Sequence, residues 1–226
     1  HTANITKISL PLIGALLFAN HQAKTQKDMP NTSSNRPNIL VFIADDAGMD
    51  FGCYGNEAIK TPNIDQLAEE GLLCKNAFLT TPQCSPTRTS ILSGQFAHSI
   101  GTEDLHQPLN NKTRLIPHFL KKQGYYTGSL MKQHIGKNGT KQFDYVKGGS
   151  DTQSPEIFSS FLDKAKGLPF FAWVAFHDPH RPHGGAKEVH SPDDVVVPPY
   201  FIDNEQTRQD IASYYDEIHR MDKNIG

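Results

Sequence analysis

The sequence has no surplus of one charge, no long apolar run and no even set of cysteines, and each absence narrows its role. Lys and Arg number 22 against 24 Asp and Glu, a formal net charge of −2. A nucleic-acid-binding domain usually carries a basic excess, so no nucleic-acid partner is expected. The apolar stretch from Ile8 to Ala19 is interrupted by Ser9, Pro11 and Gly14 and falls well short of the ~20 residues of a membrane-spanning helix. Mean hydropathy is −0.50, which excludes a polytopic membrane protein. The cysteines are Cys53, Cys74 and Cys84, an odd number that cannot all pair within one chain. Internal repeats and low-complexity arrays are also lacking. What is present is globular material: 37% of the 226 residues are hydrophobic, including 13 Phe, enough for a sizeable core. The 17 Gly and 15 Pro point to many loops, and eight of the 11 His lie between His98 and His190.

The amino-terminal region differs from the rest. Lys7, the apolar run after it and the small residues Ala19 and Ala23 read as a secretory signal over residues 1–23. Residues 24–36 are polar, with Asn31-Thr32-Ser33-Ser34-Asn35 among them, and read as a linker. Residues 37–226 read as one domain. Export is expected, to a periplasmic, secreted or lysosome-like compartment according to the host, with no membrane span in the mature chain. Cys53 and Cys74 can pair there, or either can be a small buried apolar residue.

Within the domain, Asn38 to Ala44 is a continuous apolar run, the pattern of a buried parallel strand, and it ends in Asp45-Asp46. In open α/β sheets that carboxyl end is where ligands bind. Thr61-Pro62-Asn63 opens a helix with Ile64, Leu67 and Ala68 on one face, Asn63 and Gln66 as a capping pair, and Gly71 as its stop. Leu72 to Leu79 reads as a strand. Ser85 to Ser93 reads as a helix with Ile91 and Leu92 packed inward. Ile116, Phe119 and Leu120 mark a further helix, with Lys121 and Lys122 in its last turn and Gly124 after it. Tyr125 to Met131 returns as a strand. Ile157, Phe158, Phe161, Leu162 and Ala165 have helical spacing, and Phe170 to Phe176 is a second apolar strand that runs into His177-Asp178-Pro179-His180. Ile211, Tyr214, Tyr215, Ile218 and Met221 give a last helix. Alternating strands and helices predict an α/β fold with a largely parallel central sheet flanked by helices.

Four polar clusters sit at these strand ends and helix starts. Asp45-Asp46 can offer hard oxygen ligands to Ca²⁺ or Mg²⁺, though a solvated turn is the commoner use of such a pair. Cys84-Ser85-Pro86-Thr87-Arg88 places a cysteine in the positive field of a helix amino terminus, with Arg88 one turn on and on the same face. That suits an anion and an activated nucleophile; a capped helix with a chance cysteine is the plainer alternative. Lys132-Gln133-His134 follows a strand and sets a cation near an imidazole, a pair able to bind an oxyanion. His177, His180 and His183, three residues apart, invite a zinc reading, but Pro179 and Pro182 prevent a regular helix that would put them on one face.

The segment Arg36–Gly48, followed by the Cys-x-Pro-x-Arg motif at Cys84 to Arg88, resembles the N-terminal part of the type I sulfatase family. Lys132-x-His134 and the Pro179-His180 step extend the resemblance, which runs from Arg36 to Gly226. Leu105-His106-Gln107, Ala175 to Arg181 and Asp194 to Phe201 point to the branch of the family that acts on N-sulfated glucosamine. The resemblance implies an alkaline-phosphatase-like fold and a sulfate-ester or sulfamate hydrolase of sulfated glycans. It implies that Cys84 is oxidised to Cα-formylglycine by a maturation enzyme, and that one Ca²⁺ is held by Asp45, Asp46 and the modified Cys84. Arg88, Lys132, His134 and His180 are the remaining catalytic positions it carries over, with His134 as a base for sulfate release and His180 as a donor to the leaving group. His177 is implied only to shape the pocket or to stand behind the site. A later Asp-Asn pair, part of the family's metal site, has no counterpart up to Gly226, and Asp222 and Asn224 do not match it by context. The chain is therefore expected to be a truncated catalytic domain, inactive alone. A non-catalytic remnant, a related phosphatase or phosphodiesterase, and a Cys-His thiol hydrolase are the competing readings. The cysteine motif counts against the phosphatase, because those enzymes use Ser or Thr.

Overall fold

A four-stranded, fully parallel sheet organises residues 36–226, the part of the chain that this computed structural model describes. The expected secretory signal and nearly all of the linker lie outside the described residues. The strands are β1 (Ile39–Ile43), β2 (Tyr126–Met131), β3 (Tyr145–Lys147) and β4 (Phe170–Ala175), and they lie in the order β1-β4-β2-β3. The helices are α1 (Pro62–Glu70), α2 (Cys84–Ser93), α3 (Ile116–Lys122), α4 (Gly136–Thr140), α5 (Ser154–Ala165) and α6 (Glu205–Ile225).

The apolar runs seen in the sequence set this order. β4 lies between β1 and β2 and is covered on both faces, which is why almost every one of its residues is buried and apolar. Its alternate residues serve two cores. Phe171, Trp173 and Ala175 pack on one face with Leu92 of α2, Leu115 and Ile135. Ala172 and Val174 pack on the other with Ile157 and Phe161 of α5 and with Ile211, Ile218 and Met221 of α6. Gly128 of β2 makes the second core possible: a Cβ there would sit 2.5 Å from the Phe161 ring. β1 pairs with β4 on one side only among the described strands, and Leu40 is 41% exposed. Among the described residues the first strand is thus half-buried at the sheet edge, where its composition predicts full burial.

Several local expectations change. Leu72 to Leu79 is not a strand; it has no pairing edge, and Leu72 and Phe78 are each 89% exposed. Ile91 points outward while Leu92 is buried, since neighbouring helix positions lie about 100° apart and cannot share a face. Cys53 and Cys74 are both free thiols. The amino terminus of α1 is not capped by Asn63 and Gln66. Its N-cap residue, Thr61, makes no side-chain capping bond. Asp222 of α6 takes that role across space, accepting from the backbone N–H of Ile64 at 2.8 Å and of Asn63 at 3.3 Å, and from the Asn63 side chain at 2.9 Å. Gln66 instead bonds Glu70.

The Asp222 cap makes a direct prediction. Asp222→Ala leaves two helix N–H groups unsatisfied in a buried setting and is expected to cost about 2 kcal/mol. Asp222→Asn keeps one acceptor and should cost about half as much. Urea unfolding midpoints of the two variants beside the parent chain check the order.

Candidate active site

Three strand ends and one helix start meet at the carboxyl edge of the sheet. Ile43 and Met131 both align with Ala175, so β1, β4 and β2 end level with one another. Backbone bonds continue this alignment into the loops: Phe176 N–H donates to Ile43 O at 2.9 Å, Lys132 N–H to Ala175 O at 2.8 Å, and Asp45 N–H to Asp178 O at 2.9 Å. The helix α2 begins at Cys84 and points its first turn at the same edge.

Asp45 is the hub. It is 3% exposed and carries three partners on its two oxygens. Lys132 Nζ donates to Oδ2. Cys84 Sγ donates to Oδ1 at 3.3 Å, and Arg88 Nη2 stands 3.3 Å from the same oxygen. Arg88, itself 2% exposed, also donates from Nη1 to Lys132 O at 3.0 Å. Burial alone would raise the Asp45 carboxyl, but the Lys132 hydrogen bond and the Arg88 charge outweigh it and hold the group below the ordinary carboxylate range. The Cys84 thiol moves the other way. Burial pushes it up first, and the adjacent Asp45 adds to this more than Lys132 offsets. The activated thiolate expected at a helix amino terminus is therefore not what forms, because a carboxylate lies against the sulfur.

The other predicted positions surround this hub. Asp46 turns outward in a left-handed conformation with φ 60°, and its Oδ2 lies 3.6 Å from His180 Nε2. His134 also has a left-handed backbone, φ 48°. Burial and the positive charge of Lys132 lower its pKa, and its Nδ1 is buried with no hydrogen-bond partner. Arg88 Nη2 likewise has no hydrogen bond; its contact with Asp45 is ionic only. Two buried donor-capable nitrogens left unsatisfied at one sheet edge mark a place built for a ligand's acceptors.

The three-histidine reading dissolves in the structure. His177 Nδ1 faces Asp151, His180 faces Asp46, and His183 Nδ1 faces Glu217. The rings diverge to three carboxylates, as the prolines between them require. The donor atoms that do converge, within 4.8 Å of one another, come from Asp45, Cys84 and His180. A carboxylate oxygen suits a hard cation such as Ca²⁺, while a thiol sulfur does not. Of these donors only Asp45 is an oxygen; an oxygen in place of the Cys84 sulfur, together with the Asp46 carboxylate, would give a hard-oxygen set suited to Ca²⁺, with the His180 nitrogen outside it.

Residues without an assigned role in the sequence reading turn out to support the site. The edge of the His106 ring meets His134 with centroids 5.0 Å apart, and His106 N–H donates to Ser85 Oγ at 2.8 Å. Asp151 accepts from the backbone N–H groups of His177 and Asp178, at 3.0 and 2.7 Å. Arg220 of α6 grips the buried Asp178 carboxylate with two bonds of 2.8 and 2.5 Å. Their local signals were slight: a histidine that entered only within Leu105-His106-Gln107, an acid before a helix, and an arginine on a helix face.

The sequence model of the Sulfatase family matches residues 37–226. The chain belongs to the sulfatase family. Human N-sulphoglucosamine sulphohydrolase is 34% identical to this sulfatase chain, over 84% of the chain and 45% of that enzyme's length. An ulvan-active sulfatase of Formosa agariphila is 28% identical over 98% of the chain and 52% of its own length. Among solved structures, that of BT4656 in complex with its substrate D-glucosamine-2-N,6-O-disulfate matches with a TM-score of 0.62 and 26% identity, covering 66% of this chain and 36% of the other. The chain spans about half the length of the curated relatives it matches. The sulfatase-like α/β architecture expected from the sequence is the one observed.

The Asp45 hub can be tested by stability. Asp45→Asn strands two buried cations, and about 3 kcal/mol of destabilisation is expected at neutral pH. Because the folded-state pKa lies below the ordinary 3.8, the carboxylate's contribution is full above that value and is lost as pH falls through the lower folded one. Stability measured by urea titration across the acid range should fall less steeply in Asp45→Asn than in the parent.

Proposed function

We propose that residues 37–226 form the nucleophile-bearing part of an exported hydrolase that removes sulfate from a sulfated glycan, with Cys84 converted to Cα-formylglycine. The observation that carries this reading is the convergence of Cys84, Arg88 and Lys132 on the buried Asp45 carboxylate. Family membership supports it, as does the similarity to a sulfohydrolase of N-sulfoglucosamine. The raised Cys84 pKa disfavours a thiol hydrolase, since a protonated thiol is a weak nucleophile. It is compatible with a cysteine that serves as the precursor of another group.

The formylglycine hydrate supplies two hydroxyls on one carbon, one to attack sulfur and one whose deprotonation expels sulfate. A Ca²⁺ would be held by Asp45, Asp46 and an oxygen at position 84, and would supply Lewis-acid polarisation of the sulfate oxygens. The remaining work falls to the chain's own side chains. Arg88 and Lys132 fix the Asp45 carboxylate and, through it, the position of residue 84. The unpartnered Arg88 Nη2 offers a hydrogen bond to the hydrate or to sulfate. His134, its pKa lowered by burial and by neighbouring cations, is neutral near pH 7 and so able to accept the hydrate proton. His180, exposed at the mouth of the site and facing Asp46, is placed to protonate the leaving oxygen or nitrogen. The substrate class is a sulfated saccharide, with N-sulfoglucosamine as the first compound to test. The partner is a formylglycine-generating maturation enzyme.

The whole enzyme, co-expressed with such a maturation enzyme, tests the chemistry. Peptide mass spectrometry should find the Cys84 peptide without its sulfur and with an aldehyde; an intact thiol in active enzyme would overturn the formylglycine reading. Cys84→Ala should lower sulfate release by at least about 10⁴-fold. His180→Ala should lower kcat by about 10²-fold or more, with little change in the fold by circular dichroism. Sulfate release from N-sulfoglucosamine should exceed that from an O-sulfated glucosamine, and the reverse order would remove the sulfamidase assignment.

A further inference from the structure

Charge is unevenly placed along the chain. From Leu105 to Ser150 there are eight Lys and Arg and one acid, Asp144, a local excess of seven positive charges in a chain whose formal net charge is −2. One of the eight, Lys132, belongs to the buried hub. Six of the others are exposed on or beside two helices. Lys112 and Arg114 lead into α3, Lys121 and Lys122 end it, and Lys137 and Lys141 lie in and just after α4. Hydrogen bonds draw these segments into one surface. Gln142 accepts from Leu115 N–H at 2.9 Å and donates to Thr113 O at 3.1 Å, so the segment bearing Lys141 lies against the one bearing Arg114. Asn138 donates to Leu109 O at 2.7 Å and fixes α4 against the same stretch. Lys121 pairs with Asp144 at 2.9 Å, which joins the end of α3 to the start of β3. That acid has no further charge to give, since its Oδ2 also accepts from the Thr127 N–H and hydroxyl at 3.0 and 2.9 Å. Among the described residues, Lys112, Arg114, Lys122, Lys137 and Lys141 have no carboxylate within ion-pair distance. His118 on α3 registers the field: desolvation and the charges of Lys122, Arg114 and Lys121 hold its imidazole below the ordinary pKa. A surface that serves solubility alone mixes both signs, whereas charges of one sign gathered together repel one another.

We propose that the basic face of α3 and α4 is a docking surface for the chain of a sulfated polysaccharide, separate from the site that acts on its sulfate. The surface stands on the charge placement, and the choice of polyanion rests on the sulfatase reading above. The face begins beside the catalytic edge, since Leu109 follows His106 by three residues and Gly136 follows His134 by two. From there α3 carries it about 10 Å toward the opposite edge of the sheet, because the helix runs back to the start of β2. A polymer with one sugar at the Asp45 hub can lay its further sugars here. The lysines offer point charges to sulfate groups. Arg114 uses Nη1 on Asn111 O at 2.6 Å and keeps its other N–H groups for a ligand. Contacts this far from the reacting bond hold substrate and transition state equally, so they lower KM for a polymer and leave kcat alone.

The test uses the full chain with Cys84 unmodified, so that binding is read without turnover. Heparin, hyaluronan and double-stranded DNA are titrated by calorimetry at several salt concentrations. Heparin, dense in sulfate, should bind with an affinity that falls steeply with salt, and hyaluronan, whose charges are carboxylates alone, should bind about tenfold more weakly. The triple variant Arg114→Gln, Lys122→Gln, Lys141→Gln breaks no ion pair; it should lose about tenfold in heparin affinity and about two units of log–log salt slope. A control that removes as many charges elsewhere, Lys164→Gln, Lys166→Gln, Lys187→Gln, should bind heparin as the parent does. Equal heparin binding by the two variants would overturn the surface. DNA bound as tightly as heparin would overturn the glycan as its occupant and point to a nucleic acid. In mature enzyme the first variant should raise KM for a sulfated polymer about tenfold and leave turnover of N-sulfoglucosamine unchanged. An unchanged polymer KM would overturn the surface while leaving the sulfatase reading intact. Heparin binding that is lost in the first variant alone, in a chain whose mature form releases no sulfate, would do the opposite.

Discussion

A carboxylate out of water cannot keep its charge without cations beside it, and the arrangement around Asp45 follows from that constraint. Asp45 leaves β1, Arg88 comes from α2, and Lys132 leaves β2, so the ion cluster ties three elements that are far apart in sequence. Arg88 adds a second tie by donating to the Lys132 carbonyl. Such a cluster is a poor way to gain stability, because the desolvation of three ions offsets much of their attraction. An apolar trio of equal volume would serve the fold as well. What the charges add is position: each ion has one low-energy place, and Cys84 is held against the same carboxylate.

The second support is α6, which is a polar rail as much as a core helix. Its apolar face, Ile211, Ile218 and Met221, packs under the sheet. Its other positions hold three segments: the long loop after β4, the loop after β1 and the start of α1. Asp210 takes Arg181, Tyr214 takes Asp50 and Gly48, and Asp216 takes the backbone at Val189 and His190. Glu217 takes Gly184, Arg220 takes Asp178, and Asp222 takes the start of α1. Loops are positioned here by ionic and capping contacts from one rigid element rather than by their own packing. That is a sound way to hold an active-site edge, since helix geometry fixes the spacing of the grips.

The parts of this design that were legible in the sequence are those governed by local periodicity. The Phe170 to Phe176 run is a strand because apolar residues fill both faces of a central strand; Tyr125 to Met131 is one as well, although Thr127 and Ser129 are buried in its middle, and the clusters at the ends of both fell at the sheet edge. Leu72 to Leu79 misled for the same reason: its composition suits a strand, but a strand exists only with a partner edge, and nothing local reports that. The Asn63–Gln66 pair misled because a cap can be supplied from 159 residues away, as Asp222 does. The Cys84 environment was half legible. The helix start was visible, while the carboxylate that reverses its effect on the thiol comes from another strand. Asp151 was silent because its partner is a backbone segment that only the fold brings near, and Arg220-Met221-Asp222 entered only as part of the family likeness, with no sign of the buried acid that Arg220 grips.

The near-neutral net charge fits this picture in a specific way. Within the site, the two carboxylates of Asp45 and Asp46 match the two cations of Arg88 and Lys132, so these four side chains carry no net formal charge. Both cations are also already engaged by Asp45, and a sulfate group competing for them alone would leave that buried carboxylate uncompensated. In the proposed reaction a divalent cation held by Asp45 and Asp46 would take over part of the charge of Asp45 and would leave Arg88 and Lys132 with donors for sulfate. The acidic pair and the basic pair are thus complementary halves of one device. Asp45 holds the guanidinium and the ammonium in place without a ligand, and a hard cation shared with Asp46 would free them to act on one.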